Sequence, residues 1–152
     1  MLEYLNTLRK MNVLIRQIFG NCALQGIASK SLGDPRGMLI VIEGERDILF
    51  AIARIYLLTC TPSGVVRGFH AHRALEQYAM CVSGSCTFDV DDGRRRESVL
   101  LAGPEQGLYM GPLLWHEMRD FSADCVLVVL ASAPYDESDY IRSYDEFKEL
   151  TR

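Results

Sequence analysis

The chain has 152 residues, of which 49% are apolar and 24% charged, a composition typical of one globular domain. Its net charge of −4 argues against a nucleic-acid-binding surface, which needs an excess of basic residues. No apolar run approaches the roughly 20 residues of a membrane span, residues 1–20 lack the apolar block of a signal peptide, and the scattered cysteines indicate a reduced cytoplasmic protein.

The N-terminal part of the chain has two interpretations. Its apolar residues recur at spacings of three, four and seven, which fits a helix loosely. Alternatively, residues 12–18 form a first strand, and about residues 1–11 are an N-terminal extension. No stretch rich in proline, glycine or serine and no internal repeat divides the sequence. We therefore expect residues 1–152 to form a single domain.

From Gly37 onward the sequence consists mainly of short runs rich in β-branched and aromatic residues, which are typical of strands. Asp92-Gly93, between two such runs, is the strongest hairpin signal in the chain. Residues 140–150 have helical spacing, with Asp139 or Ser143 as the N-cap. Many short strands favour a sandwich or a closed antiparallel barrel, so we predict a mainly β protein. The predicted strands are 38–43, 49–60, 65–72, 77–82, 86–90, 98–101, 107–110 and 125–131.

His70 and His72 are the first candidates for a functional site. They are two positions apart on a predicted strand, so both imidazoles project from the same face. Two polar rings on an inward face are costly to bury unless they have partners or line a cavity. A pair of histidines inside an apolar strand therefore indicates a site rather than two structural residues.

The glycine and histidine spacing matches a known pattern. Gly64, the His70-x-His72 pair and Gly84 resemble the first cupin motif, and residues 111–116 resemble the second, with His116 near the third histidine position. The position of the acidic metal ligand holds Gln77, and Glu76, one position away, faces the opposite side of the strand. Because an amide replaces the carboxylate of a three-histidine metal site, we predict that no metal is bound.

Six segments of the chain point to a particular group of cupins. Together they resemble the nucleotide-sugar 3,4-ketoisomerases of the WxcM-like cupin group, over nearly the whole chain from about Met11. The segments are DPRGMLIVIE (34–43), RGFHAHRALEQ (67–77), CVSGSC (81–86), DDG (91–93), GLYMGPLLWHEMRDFS (107–122) and VLASAPYDESDYIRSYDEF (129–147). The resemblance implies a cupin jelly-roll barrel of the RmlC type with a short C-terminal helix. It also implies a homodimer that exchanges N-terminal strands.

The resemblance further implies a reaction without metal or cofactor. A dTDP-linked 4-keto-6-deoxy-D-glucose becomes the 3-keto-6-deoxy sugar, ahead of amination to a 3-amino sugar. Carried over by motif, the catalytic residues are His70, His72 and Tyr56. The residues assigned to substrate binding are Arg36, Arg54, Arg67, Gln77 and His116.

The chemistry of this reaction also calls for histidine. Moving a ketone from C4 to C3 removes the C3 proton, forms an enediol and returns a proton to C4. One group with a pKa near neutrality must act first as base and then as acid, which suits histidine. We expect His72 to move this proton, and His70 and Tyr56 to act at the oxygen. The substrate's two phosphates need basic partners, for which Arg36, Arg67 and Arg73 are candidates.

Other functions also fit a cupin with a histidine-lined pocket. A deoxysugar 3,5-epimerase would pair a histidine with an aspartate and leave the carbonyl at C4. A metal-dependent cupin oxygenase is disfavoured by Gln77. A non-catalytic module would bind a sugar nucleotide without making a product. No partner among nucleic acids or membranes is expected.

Overall fold

The computed structural model describes residues 15–26, 37 and 39–152. In this part of the chain the strands form two antiparallel sheets. The first contains, in spatial order, β1 (Ile15–Phe19), β2 (Cys22–Gly26), β8 (Gln106–Met110), β5 (Gln77–Ser83), β10 (Val126–Ala131) and β3 (Arg54–Thr59). The second contains β11 (Tyr140–Ile141), β4 (Arg67–His72), β9 (Trp115–Arg119), β6 (Ser85–Asp91) and β7 (Arg96–Ala102).

A short 3-10 helix (Glu137–Asp139) precedes β11, and a helix, α1 (Tyr144–Leu150), follows it. No helix in the described part of the chain has the length and apolar character to cross a bilayer. The prediction of a mainly β protein is confirmed.

The main core lies between the two sheets. Alternate residues of β7 are buried, so that Val99 and Leu101 pack inward while their neighbours are exposed or half-buried, as the period of a strand requires. Leu108 and Leu127 of the first sheet belong to the same cluster as these residues. Four buried cysteines also belong to it, Cys22, Cys81, Cys86 and Cys125. The Sγ of Cys81 lies 3.7 Å from that of Cys86 and 3.9 Å from that of Cys125.

The predicted hairpin at Asp92-Gly93 joins β6 to β7. Gly93 has a φ of +92°, a backbone conformation that favours glycine. The Asp92 side chain accepts hydrogen bonds from the backbone N–H groups of Arg94 and Arg95, at 2.9 and 2.8 Å. These contacts place Arg94 and Arg95 at the tip of the hairpin.

Several boundaries differ from the sequence prediction. The described residues of 38–43 form no regular strand, and β3 begins only at Arg54. The preceding segment instead packs Ile48 and Phe50 against Tyr78 and Tyr109 in a separate apolar cluster. Three of the described strands were not predicted: β2, β9 and β11. Strand β1 favours the strand interpretation of the N-terminal region, and the proposed extension lies outside the described residues.

The C-terminal helix begins later than predicted. Its N-cap is Ser143, whose hydroxyl accepts a hydrogen bond from the backbone N–H of Glu146 at 3.3 Å. Residues Tyr140 and Ile141 pair with β4 as a strand instead of extending the helix. Helix α1 packs Phe147 against Trp115 and Ala71 on the outer face of the second sheet. Trp115 is therefore part of a small apolar cluster between this helix and the second sheet.

Candidate active site

A β-bulge in β4 positions the histidines. Gly68 is opposite Glu117 of β9, and His70 is opposite His116, with a shift of register between the two pairs. Gly68 and Phe69 have φ values of +96° and +56°, as in a strand that accommodates an extra residue. A Cβ at position 68 would lie 2.6 Å from the carbonyl oxygen of His116, so glycine is needed for this close approach.

The bulge helps bring the three histidine rings of the chain together. The ring centroid of His70 lies 4.4 Å from that of His116 and 5.0 Å from that of His72. Tyr140 pairs with His72 between β11 and β4, and its ring centroid lies 4.4 Å from that of His72 and 5.0 Å from that of His70. Residues that are far apart in sequence thus form one aromatic cluster at the inner face of the second sheet.

The hydrogen bond of His70 defines its tautomer. Its Nδ1 lies 2.9 Å from the carbonyl oxygen of Gly68, and a carbonyl only accepts hydrogen bonds, so Nδ1 carries the proton. The other nitrogen, Nε2, then has a free lone pair. Burial lowers the pKa of His70 below its ordinary value, which keeps the ring neutral at neutral pH. His70 therefore has the properties of a general base.

His116 is deeper in the same cluster. Burial lowers its pKa well below the ordinary value, and the neighbouring His70 and His72 act in the same direction. Its Nδ1 donates to the carbonyl oxygen of Leu114 at 3.3 Å. His116 is thus a neutral ring at the wall of the site.

His72 has a carboxylate partner. Its Nδ1 lies 3.0 Å from Oδ2 of Asp139, and only 3% of the residue is exposed. The pKa of His72 is lowered to about 4, chiefly by burial and also by the neighbouring His70, while Asp139 acts in the opposite direction. The Nε2 of His72 is buried without a hydrogen-bond partner. Among the described residues only the Nε of Arg54 shares this property.

Two adjoining cavities surround the cluster. The larger has a volume of about 490 Å³, within the range of small-molecule sites. The predicted residues that line it are Arg54, Tyr56, Arg67, His70 and His116. His72 lines a neighbouring cavity of about 220 Å³, which shares Arg54 and Tyr140 with the larger one. The two histidines of the motif thus line different cavities, although their ring centroids are only 5.0 Å apart.

Tyr56 and Gln77 form a hydrogen-bonded pair across the first sheet. The Nε2 of Gln77 donates to the hydroxyl oxygen of Tyr56 at 2.7 Å. Burial raises the pKa of Tyr56 to about 12, so the hydroxyl keeps its own proton and can donate it. Gln77 is only 2% exposed and is not among the residues that line the larger cavity. Its contact in the structure is with Tyr56.

The larger cavity has a positively charged rim. Arg54 and Arg67 line it, and neither forms an ion pair with any residue that the structure describes. Arg142 also lines it, with Nε and Nη2 lying 2.7 and 2.9 Å from the two carboxylate oxygens of Glu137. Arg73 instead forms an ion pair with Glu146 of α1. Arg36 lies outside the described residues.

The segment after β10 contributes residues to the site that were not predicted from the sequence. Tyr135, Tyr140 and Arg142 line the larger cavity, and Asp139 binds His72. These residues lie in the family segment 129–147, but no site role was carried over to them by motif. They reach the site because β11 pairs with β4. The available signals were that segment and its density of aromatic and acidic residues between a buried strand and a helix.

The histidines do not form a compact set of metal ligands. Within the described ranges, the only group of three or more histidine, cysteine or acidic ligand atoms all within 4.8 Å of one another is Cys81, Cys86 and Cys125. These thiols lie in the apolar core.

Comparison with known proteins assigns the chain to a family. The family model described as "FdtA: WxcM-like, C-terminal" matches residues 21–152, which is most of the chain. The chain belongs to this family. The resemblance inferred from the motifs of this WxcM-like chain is therefore confirmed.

Three relatives illustrate the similarity of the WxcM-like chain to known proteins. A TDP-4-oxo-6-deoxy-alpha-D-glucose-3,4-oxoisomerase from Aneurinibacillus thermoaerophilus is 51% identical over 119 residues, which cover 78% of the chain and 86% of the relative. The 3,4-ketoisomerase QdtA from Thermoanaerobacterium thermosaccharolyticum, a variant of which was crystallised with TDP-4-keto-6-deoxyglucose, is 40% identical with a TM-score of 0.84. That match covers 88% of the chain and 96% of QdtA.

The third relative is the TDP-quinovose 3,4-ketoisomerase WlaRB from Campylobacter jejuni. It is 40% identical with a TM-score of 0.82, and the match covers 86% of the WxcM-like chain and 99% of WlaRB. The cupin-like arrangement of two antiparallel sheets is thus shared with solved ketoisomerases.

Proposed function

We propose that the chain is an isomerase that converts TDP-4-keto-6-deoxy-D-glucose into the TDP-linked 3-keto-6-deoxy sugar. The observation that carries the proposal is a neutral histidine, His70, and a protonated tyrosine, Tyr56, lining one cavity with two unpaired arginines. Relatives that are 40–51% identical are named as 3,4-ketoisomerases or oxoisomerases of TDP sugars. The pair of His72 and Asp139 is the arrangement that we expected of an epimerase, but this similarity favours the isomerase over the epimerase, the oxygenase and the binding module.

The carbon-bound proton is assigned to His70. Its Nε2 takes the proton from C3, and the C–H electron pair forms the C3=C4 bond of an enediolate. The same nitrogen, after its proton has exchanged with solvent, protonates C4. This reverses the roles that we expected for the two histidines. What supports the change is that His70 lines the larger cavity and His72 lines the smaller one.

The oxygen-bound proton is assigned to His72. Between the two carbon steps, its Nε2 takes the proton from the hydroxyl at O3 and delivers it to O4, so that the carbonyl is re-formed at C3. The Tyr56 hydroxyl donates a hydrogen bond to the negatively charged oxygen of the intermediate. No proton is gained or lost over the cycle, which agrees with an isomerisation that needs no cofactor.

The arginines are assigned to the diphosphate. Arg54 and Arg67 are unpaired at the cavity, and a guanidinium can bind phosphate oxygens through two parallel hydrogen bonds. His116 forms the wall behind His70, and Gln77 holds Tyr56. Arg36 is retained as a substrate-binding residue on the family resemblance.

Proton NMR of the enzyme with TDP-4-keto-6-deoxyglucose in deuterated water tests the function. We expect a 3-keto sugar with deuterium at C4, and the coupling constants give the configuration at that carbon. Exchange at C3 and C5 with the ketone still at C4 would instead identify an epimerase. Saturable shifts of ligand signals without any exchange would identify a binding module.

Two variants test the assignment of the histidines. His70→Asn and His72→Asn should each reduce turnover by at least about a hundredfold, as expected for a lost acid–base group. Only His70→Asn should abolish exchange of the C3 proton with solvent deuterium, because His72 acts at oxygen. If His72→Asn alone abolished this exchange, the assignment that we first expected would stand and the present one would be wrong.

We also propose that the enzyme is a homodimer that exchanges N-terminal strands, as the resemblance implies. Supporting this, β3 lies at the edge of the first sheet, and its Ile55 and Leu57 are 58% and 59% exposed. An apolar edge strand is a site of association or aggregation unless it is covered. Light scattering should give twice the chain mass of 17.1 kDa, and a monomer would refute the proposal.

A cytoplasmic location is proposed on the state of the cysteines. All five are free thiols, as is usual in a reducing compartment. A fusion to a reporter that is active only in the cytoplasm provides the test, since an inactive fusion would contradict this location.

A further inference from the structure

The environment of His72 points to a role for Asp139, to which the sequence analysis assigned no part in the site. We propose that Asp139 is a positioning residue of the isomerase: it holds His72 in the tautomer whose Nε2 accepts the hydroxyl proton. This inference rests on the proposed function, because it concerns the group assigned to the oxygen-bound proton. Asp139 acts through His72 and lines only the smaller cavity.

Hydrogen bonds from the backbone fix the position of the Asp139 carboxylate independently of its contact with His72. Oδ1 accepts a hydrogen bond from the backbone N–H of Ala74 at 2.8 Å, and Oδ2 accepts one from Leu75 at 3.3 Å. The carbonyl oxygen of Asp139 accepts a further bond from the backbone N–H of Arg73 at 2.9 Å. The residue is thus tied to the segment that follows β4, on the same chain section as His72 itself.

This anchoring determines which nitrogen of His72 carries the proton. An ionised carboxylate only accepts hydrogen bonds, so the contact of 3.0 Å requires the proton on Nδ1. The Nε2 atom is left with a lone pair, and it is buried without a partner. A fixed donor on one side and a free acceptor on the other is the arrangement that orients a histidine for proton transfer.

A second unpartnered atom belongs to a residue that lines the same cavity as His72. Arg54 lines the same smaller cavity, and its Nε is the other unpartnered buried atom among the described side chains. A hydroxyl group can donate to the histidine nitrogen and accept from the arginine N–H at once. The chemistry of the site therefore fits a sugar hydroxyl, or a water that relays its proton.

The charges around His72 give Asp139 a second effect. His70 on β4, Arg54 on β3 and Tyr140 on β11 surround the ring, together with His116 on β9. His70 and Arg54 disfavour a positive charge on His72, and Asp139 alone among the described carboxylates bonds to the ring and favours it. When His72 holds the transferred proton, the carboxylate stabilises the imidazolium.

The variant Asp139→Asn tests the proposal, with Asp145→Asn as the matched control. Asp145 lies in the first turn of α1 and lines neither cavity. We expect Asp139→Asn to lower kcat by at least about tenfold with KM little changed, since a mispositioned histidine affects the transition state. The acid limb of the kcat profile should move to lower pH, because a group that raises the pKa of His72 is removed. The control should show neither effect.

Nitrogen-15 NMR of the ring provides a readout that does not depend on activity. In the wild-type protein without substrate, we expect His72 to be the Nδ1–H tautomer, with a slowly exchanging, downfield Nδ1–H resonance. In Asp139→Asn the tautomers should mix. A ring of unchanged tautomer, or a kcat equal to that of the control, would overturn the role of Asp139. The wild-type resonance also tests the pair if the variant does not fold, and its absence would overturn the proposal.

These measurements distinguish a failure of the proposed isomerase function from a failure of the proposed role of Asp139. A wild-type protein that makes no 3-keto sugar but has the expected Nδ1–H tautomer would refute the proposed function and leave the His72–Asp139 pair intact. An active wild type whose His72 has the Nε2–H tautomer would refute the pair and leave the function intact.

Discussion

Replacing Gly68 with alanine tests how the bulge in β4 places His70 opposite His116. Gly68 has a φ of +96°, and an added Cβ would lie 2.6 Å from the carbonyl oxygen of His116 and 3.1 Å from the Cα of Glu117. Both neighbours are backbone atoms, so β4 and β9 must separate to relieve the contact. The substitution therefore perturbs the pairing that brings the two histidines together.

The expected loss of stability has two parts. A left-handed conformation costs an alanine roughly 1–2 kcal/mol, and forcing an extra carbon into a packed region adds roughly 1–3 kcal/mol. Lower entropy of the unfolded chain offsets roughly 0.4–1 kcal/mol. The free energy of unfolding should thus fall by about 1–5 kcal/mol, against the roughly 5–15 kcal/mol of a typical domain.

A substitution at a second glycine distinguishes the cost of the left-handed conformation from the cost of the steric contact. Gly103, between β7 and β8, has a φ of +69°, and a Cβ there would have nothing within 4 Å. Gly103→Ala keeps the conformational cost and lacks the contact. In urea unfolding, Gly68→Ala should lose at least about 1 kcal/mol more than Gly103→Ala, and only Gly68→Ala should reduce turnover. Equal losses of stability with normal turnover in both variants would refute the reasoning.

Further predictions concern the tyrosine, the pH dependence and metal ions. Tyr56→Phe leaves the buried amide of Gln77 without its acceptor, so unfolding experiments should show a loss of about 1–3 kcal/mol; Tyr56→Phe/Gln77→Met should recover stability but not turnover. The pKa of His72 is about 4 in the folded chain and about 6.5 in the unfolded chain. The unfolded state binds the proton first, and urea midpoints should fall as the pH drops through this interval, less steeply in His72→Asn. EDTA should leave turnover unchanged, and stoichiometric zinc or iron whose removal abolishes activity would contradict the absence of a metal.

Local patterns in the sequence were sufficient for much of the fold. The Asp92-Gly93 turn, the strands around it and the Ser143 cap depend on backbone preferences of neighbouring residues, which act at short range. The pair His70 and His72 was recognisable for the same reason, since strand periodicity puts both rings on one face. The family motifs extended this to the class of reaction.

Errors occurred where pairing with distant strands outweighed local preference. Residues 140–141 fit the spacing of the helix that follows, yet they pair with β4 because their backbone groups complete its edge. Residues 38–43 are apolar enough for a strand, but the described part of this segment packs on the outside of the first sheet without joining it. Propensity is a weak guide when a tertiary contact of this kind is available.

The sequence by itself determined the mainly β class, the histidine motif and the membership of a ketoisomerase family, because these follow from short-range patterns of residue type. Only the tertiary structure placed His70 and His72 in separate cavities and brought Asp139 to the second ring. These features depend on a bulge between β4 and β9 and on the pairing of β11 with β4. Such contacts join residues far apart along the chain, and no local spacing encodes them.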